Sequence, residues 1–435
     1  MRRVVVTGLG AVSPLGIGVE DFWLSLLGGR RAVGRSRRLA AMEFPVDCAA
    51  EIPEEALQRH ASRLPRKQLK LYSRVALFAM IASAIAAEDA GLQNGAINPA
   101  SYGVFLGTFF TTFPFSSFLE WMRESESEEE ANVFEYRKAN AHCMSSINPM
   151  DFSLKTMPNL TAGHIAIAHN AQGFCRVIAD GCTGGLQAVG QAFLAVREGR
   201  LDIALCGGAE APLEEFVFVN FCTMDFLARG VEPPESACRP FDAERKGAVL
   251  GEGAAMLILE EYEHAVKRGA TIHGEVLGCG AAAGAVSPEG EPGEVSVADR
   301  IALAMKGALG AGDAAEVDLI MANGDSTRRD DLAETLAIRA VFGPRAEQIP
   351  ISATKSMHGH LISASGPLEL IACLKAIEDG LVPPTMNLIN PDPRCDLDYV
   401  PNLARRVPNL RTGMVNAVGF FGESASLLAG KVRDD

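Results

Sequence analysis

No two cysteines in this chain stand in a C-x-x-C spacing, although ten are present. That absence excludes the common zinc and redox patterns and argues against a disulfide framework, so neither a metal nor a disulfide is expected, and a reducing cytoplasm is the expected compartment. Positive charge is also in deficit. Forty Lys and Arg against 54 Asp and Glu leave a formal charge of −14, which argues against nucleic acid as a partner. Acidic protein partners stay open, because an acidic protein can still carry a local basic face. Long hydrophobic runs are lacking too. The longest, Val75 to Ala87, is too short to span a bilayer and reads as a buried helix, so no membrane association is expected. The apolar start Val4-Val5-Val6 is broken by Gly8, Gly10 and Pro14, which suits a first strand better than a secretion signal. Apolar residues are what the chain has in quantity: 48% of 435, with 22% charged. That balance belongs to a globular protein with a large core, in two or three domains or one duplicated α/β body.

Strand-like and helix-like segments alternate. Strands are predicted at 3–9, 103–107, 174–179, 202–206, 317–322, 349–353 and 414–420, with Gly207-Gly208 closing the fourth. A helix is predicted over 73–91, and another after 182 carries Leu186, Val189, Phe193, Leu194 and Val196 on a helical spacing. The acidic run Glu124–Glu130 reads as a solvated face or loop. Alternation of this kind implies a mostly parallel sheet with its reactive groups just beyond strand ends. Val4–Gly10 and Gly274–Gly280 are weakly similar openings of two halves, 1–260 and 261–435, expected to pack as one body.

Three such strand ends carry chemistry. Cys182 lies in Asp180-Gly181-Cys182-Thr183-Gly184-Gly185, where small residues permit a sharp turn that exposes the sulfur at a helix N-terminus; that position favours a thiolate. Asn323 follows the strand at 317–322, and His360 closes Thr354-Lys355-Ser356-Met357-His358-Gly359-His360. A thiol, an amide and an imidazole together suggest acyl transfer, although each alone is equally compatible with a turn or packing role.

Ordered blocks over nearly the whole chain, VVVTGLGAVSPLG (4–16), MPNLTAGHIAI (157–167), CGGAEAPL (206–213), RPFDAERKGAVLGEGAAMLILEE (239–261), SATKSMHGH (352–360) and PPTMNL (383–388), resemble the ketosynthase I/II branch of the β-ketoacyl synthase family. The resemblance implies a duplicated thiolase-like fold of five layers, α-β-α-β-α, and a dimer. It implies acyl transfer from an acyl carrier protein to Cys182, then decarboxylative condensation with a malonyl thioester. No cofactor is implied beyond the phosphopantetheine arm that the carrier delivers. By the same resemblance Lys355 is the active-site lysine and Glu334 the acid paired with it, while His360 is the second histidine. Phe420 is the gate, whose amide joins that of Cys182 in an oxyanion hole, and Thr327 contacts pantetheine. Arg66, Lys67 and Lys70 resemble the basic carrier-docking patch.

Departures stand beside these matches. The first catalytic histidine falls at Asn323 and the other pantetheine threonine at Asp325. The gate sequence GGTN reads Phe421-Gly422-Glu423-Ser424, and Lys246 replaces an aspartate. Asn323 can donate a hydrogen bond but cannot act as acid or base. His358, two residues from His360, is the one candidate replacement. Three readings follow: a condensing enzyme of fatty-acid or type II polyketide assembly with altered decarboxylation, a non-catalytic partner resembling a chain-length factor, or an acyltransferase that does not decarboxylate. The partner would be a second copy or a related ketosynthase subunit.

Overall fold

The computed structural model describes residues 1–92, 97–109, 115–130, 132–145, 155–283, 294–310 and 316–432. Ten strands form the body of one sheet. They are β1 (Val4–Ser13), β2 (Tyr102–Gly107), β3 (Cys175–Ile178), β4 (Ile203–Glu210), β5 (Gly253–Glu261), β6 (Gly274–Ala282), β7 (Leu319–Met321), β8 (Ile351–Ser352), β9 (Thr412–Val418) and β10 (Ser424–Gly430). The first half runs β3-β2-β4-β5-β1 and the second β8-β7-β9-β10-β6. Strand n of the first half thus takes the place of strand n+5 of the second, so the order itself shows the duplication. The halves join where β1 meets β6 antiparallel at Val5–Glu275 and Val6–Gly274, the two segments whose sequences are similar.

The sheet is mixed, not mostly parallel. In each half the first three strands in the order pair in parallel, and the fourth, β5 or β10, runs against both of its neighbours. For β9 and β10 the cause is plain: residues 419–423 join them directly, and so short a link permits only a hairpin. The strand and helix starts read from sequence lie within a few residues of the observed ones. The exception is Gly207-Gly208, which sits inside β4 instead of ending it. A Cβ on Gly208 would lie 2.3 Å from the Ser363 carbonyl oxygen, so glycine here admits a neighbouring turn.

The helices repeat in the same way. Of α1 (Arg74–Asp89), α2 (Pro158–Ala168), α3 (Gly184–Arg197), α4 (Glu294–Leu309), α5 (Arg328–Phe342) and α6 (Ser365–Asp379), α3 and α6 pack on each other between the half-sheets. Their apolar residues, Leu186, Val189 and Phe193 with Leu368, Ile371 and Leu374, share one core with Leu257 and Val415. Helices α1 and α2 cover the outer face of the first half, α4 and α5 that of the second. The result is the five-layer α-β-α-β-α arrangement. The middle helices are buried on both sides, which is why α6 carries hardly any polar face. Among the described residues no helix is long and apolar enough to cross a membrane.

Candidate active site

Cys182, Asn323, His360 and Phe420 follow the carboxyl ends of β3, β7, β8 and β9, the parallel edge where α/β sheets leave an open crevice. Cys182 occupies a 3₁₀ turn, Gly181–Thr183, leading into α3. Gly181 has φ +51°, a conformation that glycine adopts without a Cβ penalty. At Gly185 a Cβ would stand 1.9 Å from the Ser363 carbonyl, so the small residues of this motif let the turn sit against the middle layer. The Ser363 hydroxyl donates to the Gly181 carbonyl at 2.8 Å. The sulfur is 1% exposed and faces apolar Leu213, Phe218, Phe221, Phe226 and Ile362, with Phe420 beside them.

This environment corrects the thiolate expectation. Burial, then the charges of Glu423 and Asp325, hold the thiol well above its usual value. Lys355 opposes them and Asp330 adds to them. Removal from water and three nearby carboxylates outweigh the dipole of one helix turn.

The backbone of His360 is held as a strand bridge, donating to Val249 O at 2.7 Å and accepting from Gly251 N at 2.9 Å. Its Nδ1 accepts the Ile362 N–H at 2.9 Å. Ile362 reaches that position with φ +49°, a strained value for a β-branched residue and one that fixes the ring. With Nδ1 an acceptor, the neutral ring carries its hydrogen on Nε2. That nitrogen is buried with no partner among the described residues, and the imidazole and Phe226 ring centroids lie 5.9 Å apart. Burial, with Lys355 and His358 nearby, holds the imidazole well below its usual pKa and so neutral. His358 is no substitute for a catalytic imidazole: its Nδ1 lies 2.8 Å from Gly359 O, its Nε2 lies 3.0 Å from Thr354 Oγ1, and its ring packs on Phe22.

Asn323 is equally buried. Its Oδ1 accepts the Val418 N–H at 3.1 Å and its Nδ2 donates to Asp325 Oδ2 at 3.4 Å, which leaves one amide hydrogen uncommitted. Lys355 donates to the Asn323 carbonyl at 2.6 Å and to Glu369 Oε1 at 2.7 Å. The lysine's acid is therefore Glu369, not Glu334. Burial raises the Glu369 carboxyl to about 8 against the pull of Lys355. Glu334 instead accepts Asn323 N at 2.9 Å, Gly324 N at 3.0 Å and Asn416 Nδ2 at 3.0 Å, and so fixes the turn that carries Asn323. Thr327 caps α5 by accepting Asp330 N.

Sequence reasoning also missed Phe226. It stacks edge-on against Phe420 at 4.9 Å and against His360, and nothing in its local sequence marks it. Residues 419–423 form a hydrogen-bonded turn. Gly419 N donates to Glu423 O and Phe421 N to Glu423 Oε2. A cavity of about 430 Å³, lined by Asp180, Gly181, Gln187, Phe420 and Glu423 among others, ends at this segment, and Cys182 is not part of its wall. Arg66, Lys67 and Lys70 are exposed, on a short helix and its end ahead of α1.

The sequence model of the family described as "Beta-ketoacyl synthase, N-terminal domain" matches residues 1–265, and that described as "Beta-ketoacyl synthase, C-terminal domain" matches 273–389. The chain is 36% identical to the tetracenomycin polyketide synthase ketoacyl synthase alpha subunit of Streptomyces glaucescens, over 98% of this chain and 97% of that protein. It is 36% identical to 3-oxoacyl-[acyl-carrier-protein] synthase 2 of Coxiella burnetii, over 100% and 99%. Among solved structures, a β-ketoacyl synthase from Burkholderia phymatum superposes with a TM-score of 0.85 at 32% identity, covering all of both chains. The ishigamide ketosynthase/chain length factor gives 0.84 at 31% identity, over 99% of this chain and 100% of that one.

Proposed function

This chain belongs to the β-ketoacyl synthase family, and on that premise we propose that it is a condensing acyltransferase of fatty-acid or type II polyketide assembly. The observation that carries the proposal is a buried cysteine in an apolar cluster whose Phe226 also meets the ring of His360, an imidazole whose Nε2–H is unclaimed among the described residues. Cys182 Sγ attacks the carrier-bound acyl thioester. The carbon–sulfur bond to pantetheine breaks, and the thiol proton leaves with the pantetheine sulfur. A malonyl thioester then loses carbon dioxide. His360 Nε2–H and the free hydrogen of Asn323 Nδ2 stabilise the enolate oxygen, and the carbanion attacks the acyl carbonyl on Cys182; the carbon–sulfur bond to Cys182 then breaks, and the released thiolate takes a proton from solvent. Lys355 with Glu369, and Glu334, hold the turn and the lysine in place. The amides of Cys182 and Phe420 form the acyl oxyanion hole, while Thr327 and Asp325 face the pantetheine arm.

We assign the halves to 1–260 and 261–435, packed as one body, and the protein to the cytoplasm. The edge strand β3 exposes Cys175 and Arg176 along an unpaired side. That supports pairing with a second copy or a related ketosynthase subunit. One solved neighbour, an acyl-carrier protein in complex with its ketosynthase, supports a carrier protein as partner, and we assign its docking to Arg66, Lys67 and Lys70. With an amide in place of one imidazole, we hold the decarboxylation step to be slow or dependent on a partner. A second reading, acyl transfer without decarboxylation, is favoured by the carboxylates of Asp325, Asp330 and Glu423 around Cys182, which oppose a malonyl anion. Carbon dioxide release from malonyl carrier protein, alone and with a partner ketosynthase, separates the two. Acylated Cys182 with no release in either case would refute the condensing reading.

A further inference from the structure

A continuous polar chain runs from Asn323 to the gate. Asn323 Nδ2 donates to Asp325 Oδ2 at 3.4 Å, and Thr327 ties Asp325 to Asp330. Arg329 Nε and Nη2 donate to Asp330 at 2.7 and 3.1 Å, and Nη2 also reaches the Phe420 carbonyl at 3.1 Å. The backbone fixes both acids: Asp325 Oδ1 accepts Thr327 N at 2.8 Å, and Asp330 N donates to Thr327 Oγ1 at 3.1 Å. Asp325 is 2% and Asp330 3% exposed, so both carboxyls depend on these protein partners and not on water.

We propose that Asp325 and Asp330 are positioning residues that orient the Asn323 amide and, by way of Arg329, seat the Phe420 gate. The proposal rests on the condensing reading above and adds to it the device that holds its donor and its gate in register. The other charges nearby are spoken for. Asp331 and Glu334 on α5 and Glu423 on the gate are also acids, and Cys182 and Cys238 are thiols held above their usual values by burial. Of the cations, Arg245 is committed to Asp331 at 3.2 Å and Asp392 at 2.9 Å, and Lys355 to Glu369 at 2.7 Å. Arg329 is the cation in direct contact with the pair. Burial and the charge of Asp325, opposed by Arg329, raise Asp330 to about 7. Below that pH Asp330 is neutral, and Arg329 serves both Asp330 and the Phe420 carbonyl. Above it the charge on Asp330 draws the guanidinium off the carbonyl.

Amide hydrogen exchange at residues 419–423, corrected for the intrinsic effect of pH, reads the gate without any turnover. In the wild type, protection is expected to fall several-fold between pH 6 and 8 while β4 stays protected. In Asp330→Asn, whose carboxamide cannot lose the proton, the fall should shrink to under about twofold. A flat profile in the wild type, or an equal fall in Asp330→Asn, would overturn the proposal. Should Asp330→Asn not fold, Asp325→Asn decides on the same criterion. Carbon dioxide release followed over the same pH range is expected to fall with the gate. Absence of any acyl adduct at Cys182 would instead sink the condensing reading and leave the exchange result to judge the carboxyl pair.

Discussion

Replacing Asn323 by histidine tests the altered site most sharply. In both side chains the δ1 atom is attached to Cγ, so His Nδ1 can take the place of Asn Oδ1 and keep the Val418 N–H, now 3.1 Å away. The ring would then carry its hydrogen on Nε2, as His360 does with Ile362 N on its own Nδ1. A second imidazole donor at the enolate oxygen is worth about 1–2 kcal/mol, a gain of roughly 5–30-fold at 1.36 kcal/mol per tenfold. The larger ring opposes this, because overpacking a buried site costs about 1–3 kcal/mol. Residual strain should fall on stability more than on rate, since the turn is held by Glu334. The assay is carbon dioxide release from malonyl carrier protein, with a thermal melt on the same sample. A rise of several-fold with a lower melting temperature is expected. A fall in release would refute the reasoning, because the amide would then be doing something an imidazole cannot.

Three further outcomes are expected. Above about pH 8, where Glu369 is ionised, Glu369→Gln should destabilise the fold by about 3 kcal/mol by leaving the buried Lys355 ammonium without its acid, whereas Glu334→Gln should cost about 1–3 kcal/mol by turning an amide group toward Gly324 N. Urea unfolding reads both, and a silent Glu369→Gln would contradict the pairing. Because the Cys182 thiol is held well above its usual value, iodoacetamide should label it at least about tenfold more slowly than a free cysteine at pH 7 and faster as pH rises, with Glu423→Gln speeding it at fixed pH. Labelling that is fast and flat with pH would show a thiolate. Lys67→Glu with Lys70→Glu should weaken carrier-protein binding several-fold at low salt and little at high salt, and salt-independent affinity would place docking elsewhere.

How far the sequence reached depends on the range of the interactions. The strand at 4–13, the helix at 74–89 and the turn at Cys182 follow from local periodicity and small residues, and all three are present. Glu369 was not legible. It lies in Leu368-Glu369-Leu370-Ile371 on a helix buried on all sides, and its reason for being there is Lys355, fourteen residues back and across a turn. Gly207-Gly208 read as a turn, because a sequence does not show that the Ser363 carbonyl will press on that strand from the other half. The thiolate expectation failed for the same cause. The helix dipole is local and visible, but Asp325, Asp330 and Glu423 reach Cys182 from the second half.

The central claim is that Cys182 takes an acyl group from a carrier thioester. Intact-protein mass spectrometry after incubation with acyl carrier protein tests it most directly. One acyl adduct is expected, mapping to the peptide that contains Cys182 and absent in Cys182→Ala. An unmodified wild-type mass, or an adduct that persists in Cys182→Ala, would contradict it.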